Sequence, residues 1–169
     1  MGIYLMGECL PEEWGEWREK RPCRRNGTFG RRPMRRLLCQ VCARPTERDE
    51  LGWPWLLEDH RGEQTWPERE VTTHPPVCPE CQPVSAAQCE HLRGWVVSVC
   101  VGRVLTDGVY GQLYRTARHP IPVGEKSVQF FGDARLRWML GGQMAETLFD
   151  VTILDMRTQT PLHRMAVVR

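Results

Sequence analysis

Alternating apolar residues predict β-strands in the second half of the chain. Over residues 95–101 both faces of an extended segment are apolar, which is typical of a strand covered on both sides. Asp107-Gly108 is a turn signal, so the pattern predicts a hairpin with a second strand over 109–115. Further strands are predicted over 127–131, 149–153 and 164–168.

A four-residue spacing of apolar side chains predicts one helix beside these strands. Asp133 is a suitable N-cap, and the spacing continues from there to about residue 148. Gly141-Gly142 weakens the middle of this helix by about 1 kcal/mol per glycine relative to alanine. The unit 94–169 is therefore predicted to be a small antiparallel sheet covered by one helix. The apolar stripe of that helix consists of Leu136, Leu140, Met144 and Leu148.

The first half of the chain has weaker periodicity. It predicts a strand over 53–57 and short helices over 31–38 and 83–92. The longest apolar stretch, 95–101, is much too short to span a bilayer, so no membrane partner is expected. The first residues lack the charged start of a signal peptide, and the expected location is the cytoplasm.

Two pairs of cysteines have the spacing of metal ligands. The 169 residues fit one compact domain, or one domain plus a small module, and eight of them are cysteine. A C-x-x-C turn directs two thiolates to one tetrahedral ion, so two such turns predict a structural Zn²⁺ site. Disulfides are rare in a reducing compartment, so a disulfide framework is not expected. The alternative to zinc is two pairs of redox-active or buried thiols. The predicted ligands are Cys39, Cys42, Cys78 and Cys81.

The other cysteines have no such spacing. One interpretation combines Cys9, Cys23 and Cys89 with His91 in a second metal site. In the other, Cys89 packs as a small apolar residue and His91 lies near a helix C-terminus, where a histidine is favourable. Cys100 lies in an apolar strand and is predicted to belong to the core.

The net charge of +2 conceals two opposed blocks. Residues 18–44 contain ten basic side chains and one acid, whereas 45–70 contain eight acids and three arginines. An Arg-rich arm next to a zinc module is suited to neutralise the phosphates of DNA or RNA. Alternatively, the arm binds the acidic block of its own chain or a protein partner, or is a solvated surface in a chain with 21 Arg and two Lys. The candidate nucleic-acid contacts are Arg24, Arg25, Arg31, Arg32, Arg35 and Arg36.

The order of motifs resembles two kinds of zinc protein. A C-x-x-C turn, a hairpin and a second C-x-x-C turn at a helix start resemble a treble-clef module. With Asp59-His60 between the two pairs, the chain also resembles zinc-containing HNH endonucleases. That resemblance implies His60 as general base and Asp59 as a ligand of a divalent ion. Gln82 stands where these enzymes usually have a histidine, and residues 61–77 contain no Asn.

A second resemblance covers most of the chain. It is to a group of actinobacterial proteins without an assigned reaction, and it implies a bacterial cytoplasmic protein with a zinc module. It rests on Arg35-Arg36-Leu37-Leu38-Cys39-Gln40-Val41-Cys42, Trp55-Leu56-Leu57, His74-Pro75-Pro76-Val77-Cys78, Cys89-Glu90-His91-Leu92 and Val109-Tyr110-Gly111-Gln112-Leu113-Tyr114.

Together these patterns predict an α+β protein in three segments. They are an Arg-rich arm (1–36), a zinc-binding module (37–93) and a small α+β unit (94–169). The sequence contains no glycine-rich phosphate loop, no H-E-x-x-H and no G-x-S-x-G motif. The expected function is therefore non-enzymatic: a zinc-stabilised binding or regulatory protein that contacts nucleic acid through its arm. The alternatives are an unusual HNH-type endonuclease and a protein-interaction or accessory protein.

Overall fold

The protein belongs to the α+β class and is built on one antiparallel sheet of five strands. The computed structural model describes residues 31–89 and 95–162. The strands are β1 (Trp53–Glu58), β2 (Val71–Thr72), β3 (Val96–Arg115), β4 (Ile121–Phe130) and β5 (Met139–Leu154). The α-helices of the described part are α1 (Arg31–Arg36) and α2 (Gln82–Gln88), and short 3-10 helices span Pro79–Cys81 and Ala134–Trp138.

Strand β3 is the central strand of the sheet. Its first half pairs with β1, from Trp53 opposite Val101 to Glu58 opposite Val96. Its second half pairs with β4, and β5 runs along its other side. The short strand β2 completes the sheet next to β5. Strands from the predicted zinc module and from the predicted C-terminal unit therefore share one sheet.

The predicted hairpin turn at Asp107-Gly108 is wrong. Strand β3 continues through these residues, and the register with β5 shifts there, because Thr106 pairs with Glu146 and Gly108 pairs with Ala145. Asp107 is the extra residue of a β-bulge, which keeps the strand continuous while increasing its twist. Its carbonyl accepts from Phe131 N–H at 2.6 Å and its Oδ2 accepts from Thr147 Oγ1 at 2.8 Å. These contacts hold Asp107 within the sheet instead of in an exposed turn, while its Oδ1 is buried without a hydrogen-bond partner among the described residues.

The predicted helix over 133–148 is also wrong. Asp133 does cap a helix, since its side chain accepts from Arg135 N–H, but this is the 3-10 helix Ala134–Trp138, and strand β5 follows. Two glycines weaken a helix at this place, whereas β3 offers a long row of backbone partners. Thr147, Val151 and Ile153 add β-branched side chains that suit a strand. The sheet is thus not covered by the helix that the apolar stripe indicated.

Several local predictions are confirmed. Helix α1 forms within the predicted range 31–38, and β1 forms over the predicted strand. Strand β4 includes the strand predicted at 127–131 except for its last residue, and β5 includes the strand predicted at 149–153. Helix α2 begins where expected but ends at Gln88, because its C-cap Cys89 is already extended, so the predicted continuation to residue 92 is wrong at residue 89, and residues 90–92 lie outside the described residues. The strand predicted over 164–168 also lies outside them. Among the described helices, none is long and apolar enough to cross a membrane.

Two apolar clusters hold the sheet at its β1 end. The first combines Trp55 and Leu57 of β1 with Val97, Val99 and Val101 of β3, and with Leu148 and Val151 of β5. The second combines Leu56 of β1 with Val77 and the cysteines, and Val96 of β3 packs against it. Because adjacent residues of β1 belong to different clusters, the two faces of the strand contact different parts of the chain. The cysteines therefore sit against the sheet itself.

Candidate metal centre

The first pair of cysteines lies in a tight reversal of the chain directly after α1. Ala43 N–H donates to the carbonyl of Cys39 at 2.9 Å, and Cys39 N–H donates to the carbonyl of Arg44 at 2.8 Å. Ala43 adopts a left-handed conformation with φ of 58°, which closes the turn. Cys39 is buried and Cys42 is half-buried, so the turn directs both thiols inward.

The second pair lies at the start of a helix, as predicted. Cys78 precedes the 3-10 helix Pro79–Cys81, and α2 begins at Gln82. Cys81 N–H donates to the Cys78 carbonyl at 2.9 Å, which fixes the spacing between the two residues. Cys78 N–H lies 3.5 Å from Cys39 Sγ, in a hydrogen bond that joins the two pairs.

The structure brings the four predicted ligands together. The Sγ atoms of Cys39, Cys42, Cys78 and Cys81 all lie within 4.8 Å of one another, and those of Cys42 and Cys78 are 3.8 Å apart. A tetrahedral ion with Zn–S bonds of about 2.3 Å places its sulfurs about 3.8 Å apart. The donor set therefore fits one metal ion. Within 31–89 and 95–162 it is the one group of three or more metal-ligating side chains with this proximity.

The electrostatic surroundings differ among the thiols. Burial raises the pKa of Cys42, but hydrogen bonds from the backbone and guanidinium of Arg44, and from neighbouring thiols, outweigh it and lower the pKa to about 6. Burial raises the pKa of Cys81 to about 11, and it also raises the pKa of Cys78. A bound cation favours the thiolate form of all four ligands, so metal binding has to displace protons from the buried thiols.

An apolar shell connects this centre to the sheet. Leu56 and Val77 are buried beside the cysteines, and Val96 and Met156 pack against the same cluster. The β1 and β2 strands, which lie between the two cysteine pairs, do not pair with each other in the described structure: β1 pairs with β3 and β2 with β5. The hairpin expected for a treble-clef module is absent from the described residues. Instead of a hairpin, the main sheet packs against the cysteine cluster, through Leu56 of β1 and Val96 of β3.

Gln82 is a structural residue that sequence reasoning missed. It is fully buried next to Cys81, and its Nε2 donates to the Val77 carbonyl at 3.2 Å. Its Oε1 accepts from Ser98 Oγ of β3 at 2.8 Å and from Gln159 Nε2 at 3.3 Å. Gln82 thereby links the second cysteine turn to the sheet. Nothing in the local sequence distinguishes this glutamine from an exposed one.

Asp59 and His60 follow the end of β1, where the HNH resemblance places a base and a metal ligand. Both oxygens of Asp59 accept from the Arg61 guanidinium, and this pairing, opposed by partial burial, keeps the pKa of Asp59 below its usual range. The His60 ring lies 3.7 Å from Glu58 and 3.5 Å from Glu63. In the described structure, however, these side chains do not form a group of three metal-ligating atoms that all lie close to one another.

The arginine-rich arm is described only in part. Arg24 and Arg25 lie outside the described residues, and Arg31 is described in its backbone alone. Helix α1 places Arg32, Arg35 and Arg36 at the surface, while Met34 on the same helix is buried. Arg35 and Arg36 lie in its last turn, where positive charge interacts favourably with the helix dipole.

The two other described cysteines, Cys89 and Cys100, do not belong to the four-thiol cluster. Cys9, Cys23 and His91 lie outside the described residues. Cys89 is the half-buried C-cap of α2. Cys100 is buried in β3, as predicted for a core residue, with its Sγ 4.0 Å from Asp49 Oδ2.

Four thiols around one point can bind an ion but leave no coordination position for a substrate. Four thiol donors at this proximity are typical of a structural metal site, in which a bound ion joins distant parts of the chain. Comparison with protein-family models, with curated proteins and with solved structures gave no match. The resemblances to HNH endonucleases and to the actinobacterial group therefore rest on the quoted residues alone.

Proposed function

We propose that this chain is a zinc-stabilised binding protein that contacts nucleic acid through its Arg-rich arm. Cys39, Cys42, Cys78 and Cys81 would hold one structural Zn²⁺. The observation that carries the proposal is the proximity of their sulfurs, all within 4.8 Å, in a set of four thiol donors. Soft thiolates in tetrahedral arrangement favour zinc over hard cations such as Mg²⁺ or Ca²⁺.

The position of α1 supports the role of the arm. Buried Met34 anchors the helix one turn before Cys39, so the exposed arginines of α1 are held on a supported segment. Guanidinium groups bind phosphate through two parallel hydrogen bonds, and each contact releases counterions. Arg32, Arg35 and Arg36 would supply such contacts.

The acidic block supports an external partner for these arginines. In the described structure three of its eight carboxylates accept from other groups: Asp59 from Arg61, Asp49 from backbone N–H groups, and Glu68 from the N–H groups of residues 150 and 151. None of the ion pairs within the described residues joins this block to α1. In the described residues the exposed arginines of α1 therefore form no ion pair with this block.

The metal is tested by measuring zinc content on the purified native protein. We expect about one zinc per chain, and its loss in Cys78→Ser. Cys89→Ser is the matched control, because Cys89 lies outside the four-thiol cluster and should leave the zinc content unchanged. Zero zinc in the native protein would overturn the proposal. Two zinc ions per chain would revive the second site that includes Cys9, Cys23, Cys89 and His91, and the single-site proposal would be wrong.

The arm is tested by nucleic-acid binding over a series of salt concentrations. We expect Arg35→Gln/Arg36→Gln to weaken binding. The slope of log K against log salt concentration should become shallower by about 0.7–0.9 per lost phosphate contact. The control is Arg69→Gln/Arg157→Gln, which removes the same charge from exposed positions outside the arm. Equal affinity of the arm variant and the native protein would contradict the role of the arm. No binding even at low salt would overturn the nucleic-acid function and favour a protein partner.

The same samples test the resemblance to HNH endonucleases. Incubation with Mg²⁺ and duplex DNA should leave the DNA intact if the protein is a binding protein. Cleavage that is lost in His60→Ala would replace the proposal with a nuclease in which His60 is the general base.

A further inference from the structure

A second surface carries exposed apolar side chains around β4. Among the described residues nine large apolar side chains are exposed, and five of them lie between residues 121 and 138. Each of these five has 39–47% of its surface in water. Such a concentration of exposed apolar side chains in one region is typical of a binding surface. The five are Ile121, Val123, Phe130, Phe131 and Trp138.

The backbone holds the three aromatic side chains of this group in one corner of the sheet. Phe131 N–H donates to the Asp107 carbonyl at 2.6 Å, and Asp133 N–H donates to the Phe130 carbonyl at 3.1 Å. Trp138 ends the 3-10 helix Ala134–Trp138, which contacts both β3 and β4. Leu136 of that helix is buried against Val109 and Met139. The apolar core therefore fixes the turn between β4 and β5, while the aromatic rings remain exposed.

Exposed basic side chains belong to the same segment of the chain. Residues 115–138 contain five basic and two acidic side chains, and all five basic ones are exposed. Within the described residues one of the five, Arg135, forms an ion pair, with Asp133. The other four are Arg115, Arg118, Lys126 and Arg137. Arg115 pairs with Ile121, and Phe130 pairs with Gly108, so Arg115 and Arg118 lie at the end of the hairpin away from the rings. Arg137 directly precedes Trp138, and Lys126 lies on β4 four residues before Phe130. We call Lys126 and Arg137, together with Phe130, Phe131 and Trp138, the aromatic–basic surface.

We infer that the aromatic–basic surface binds single-stranded nucleic acid. Its exposed rings stack with unpaired bases, and Lys126 and Arg137 contact the adjacent phosphates. A polyanion matches the excess of positive charge, and unpaired bases offer flat apolar faces that a duplex keeps inside its own stack. The inference rests on the proposed nucleic-acid function and adds to it a second contact surface and a preference for single strands.

The test is fluorescence anisotropy on the zinc-loaded full chain. The probes are a fluorescein-labelled 20-mer of thymidine and a labelled 20-base-pair duplex. We expect the native protein to bind the single strand more tightly than the duplex. Phe131→Ala and Trp138→Ala should each weaken single-strand binding by about tenfold, the effect of losing one stacked base. Their affinity for the duplex should change much less.

The control is Trp95→Ala, which removes an even more exposed aromatic side chain, at 69% exposure, at the other end of β3. It should bind both probes as the native protein does. Lys126→Glu/Arg137→Glu keeps the rings and reverses two charges, and it should also weaken single-strand binding. Because all these positions are exposed, circular dichroism and melting temperature should match those of the native protein.

The outcomes separate this inference from the proposed function. Unchanged single-strand affinity in Phe131→Ala and Trp138→Ala, with binding otherwise retained, overturns the inference alone. Equal affinity of the native protein for single strand and duplex also overturns it. If the native protein binds neither probe at low salt, the proposed function fails. If the surface instead mediates self-association, the aromatic variants lose a dimer in gel filtration without a loss of nucleic-acid binding, which again contradicts the inference.

Discussion

Glu146 shows how much the environment of one residue depends on the sheet. It lies between buried Met144 and Leu148 on β5 and is itself 1% exposed. Its Oε1 accepts from Thr106 Oγ1 on the paired strand at 3.0 Å, while Oε2 is buried without a hydrogen-bond partner among the described residues. Burial, with a smaller contribution from the charge of Asp107, raises the pKa of Glu146 to about 7. The hydroxyl of Thr106 opposes this shift.

Glu146→Gln is expected to stabilise the protein above neutral pH. Between the ordinary pKa of 4.5 and the folded value of about 7, the folded state retains a proton that the unfolded state has lost. The free energy of unfolding therefore falls as pH rises through this range and is constant above it. The variant lacks this fall, so at pH 8 it should be more stable by up to about 3 kcal/mol.

The measurement is urea unfolding of both proteins at pH 5 and pH 8. The two proteins should have similar stability at pH 5, where the buried carboxyl is neutral. Lower stability of Glu146→Gln at pH 8 would show that the carboxylate is favourably bound in the folded state.

Gln82→Ala is expected to destabilise the protein by about 2–4 kcal/mol, because it removes a buried side chain and its hydrogen bonds. Ser98 Oγ would lose its acceptor, and the Val77 carbonyl its side-chain donor. Gln88→Ala is the control, since Gln88 is exposed on the same helix. Equilibrium unfolding measures both changes, and an equal effect of the two substitutions would contradict the structural role of Gln82.

At the scale of elements, β5 shows why an apolar period can mislead. The spacing that indicates a helical stripe over 133–148 also includes Met144 and Leu148, which an extended strand places on one face with Glu146. A local pattern does not reveal that β3 is available along the whole length of β5. The strand is favoured because pairing with β3 satisfies the backbone groups of β5 and buries its apolar side chains.

The close approach of β3 and β5 leaves no room for a side chain at Gly111. A Cβ on Gly111 would lie 2.1 Å from the Leu140 carbonyl oxygen, which is backbone and has little freedom to move. A Cβ on Gly142, close by on β5, would meet only the Tyr110 carbonyl oxygen, at 3.9 Å. We expect Gly111→Ala to lower the free energy of unfolding by at least about 1–3 kcal/mol. Gly142→Ala should leave the free energy of unfolding nearly unchanged or raise it. Melting temperatures of the two variants test this difference, and a larger loss for Gly142→Ala would contradict the β3–β5 register.

At the scale of the whole molecule, the cysteine centre joins parts that lie far apart in the sequence. The two cysteine pairs are separated by β1 and β2, and their apolar shell includes residues of β1 and β3. A bound metal therefore adds its binding free energy to the stability of the sheet. Without metal, four thiols would remain in one cluster, and two of them, Cys39 and Cys78, are buried.

Removal of the metal is expected to destabilise the whole sheet. A zinc chelator, or Cys78→Ser, should lower the melting temperature by more than about 10 °C, because the free energy of zinc binding is coupled to folding. Cys89→Ser should have little effect, since Cys89 is outside the four-thiol cluster. Calorimetry with and without chelator measures the change. A melting temperature that does not respond to the chelator would show that the fold is independent of the metal.

The sequence by itself determined the features that depend on short-range spacing. The positions of the four cysteines predict the metal centre because a C-x-x-C turn is local and its ligand geometry follows from the spacing. The same holds for α1, for β1 and for the start of α2, which lie where their local patterns indicate.

Only the tertiary structure decided the features that depend on distant partners. The continuation of β3 through Asp107, the extended form of β5 and the burial of Gln82 and Glu146 all follow from pairing between segments that are far apart in the sequence. A local sequence pattern indicates which conformations a segment can adopt. The backbone groups and apolar surfaces that other segments offer decide which of those conformations is favoured.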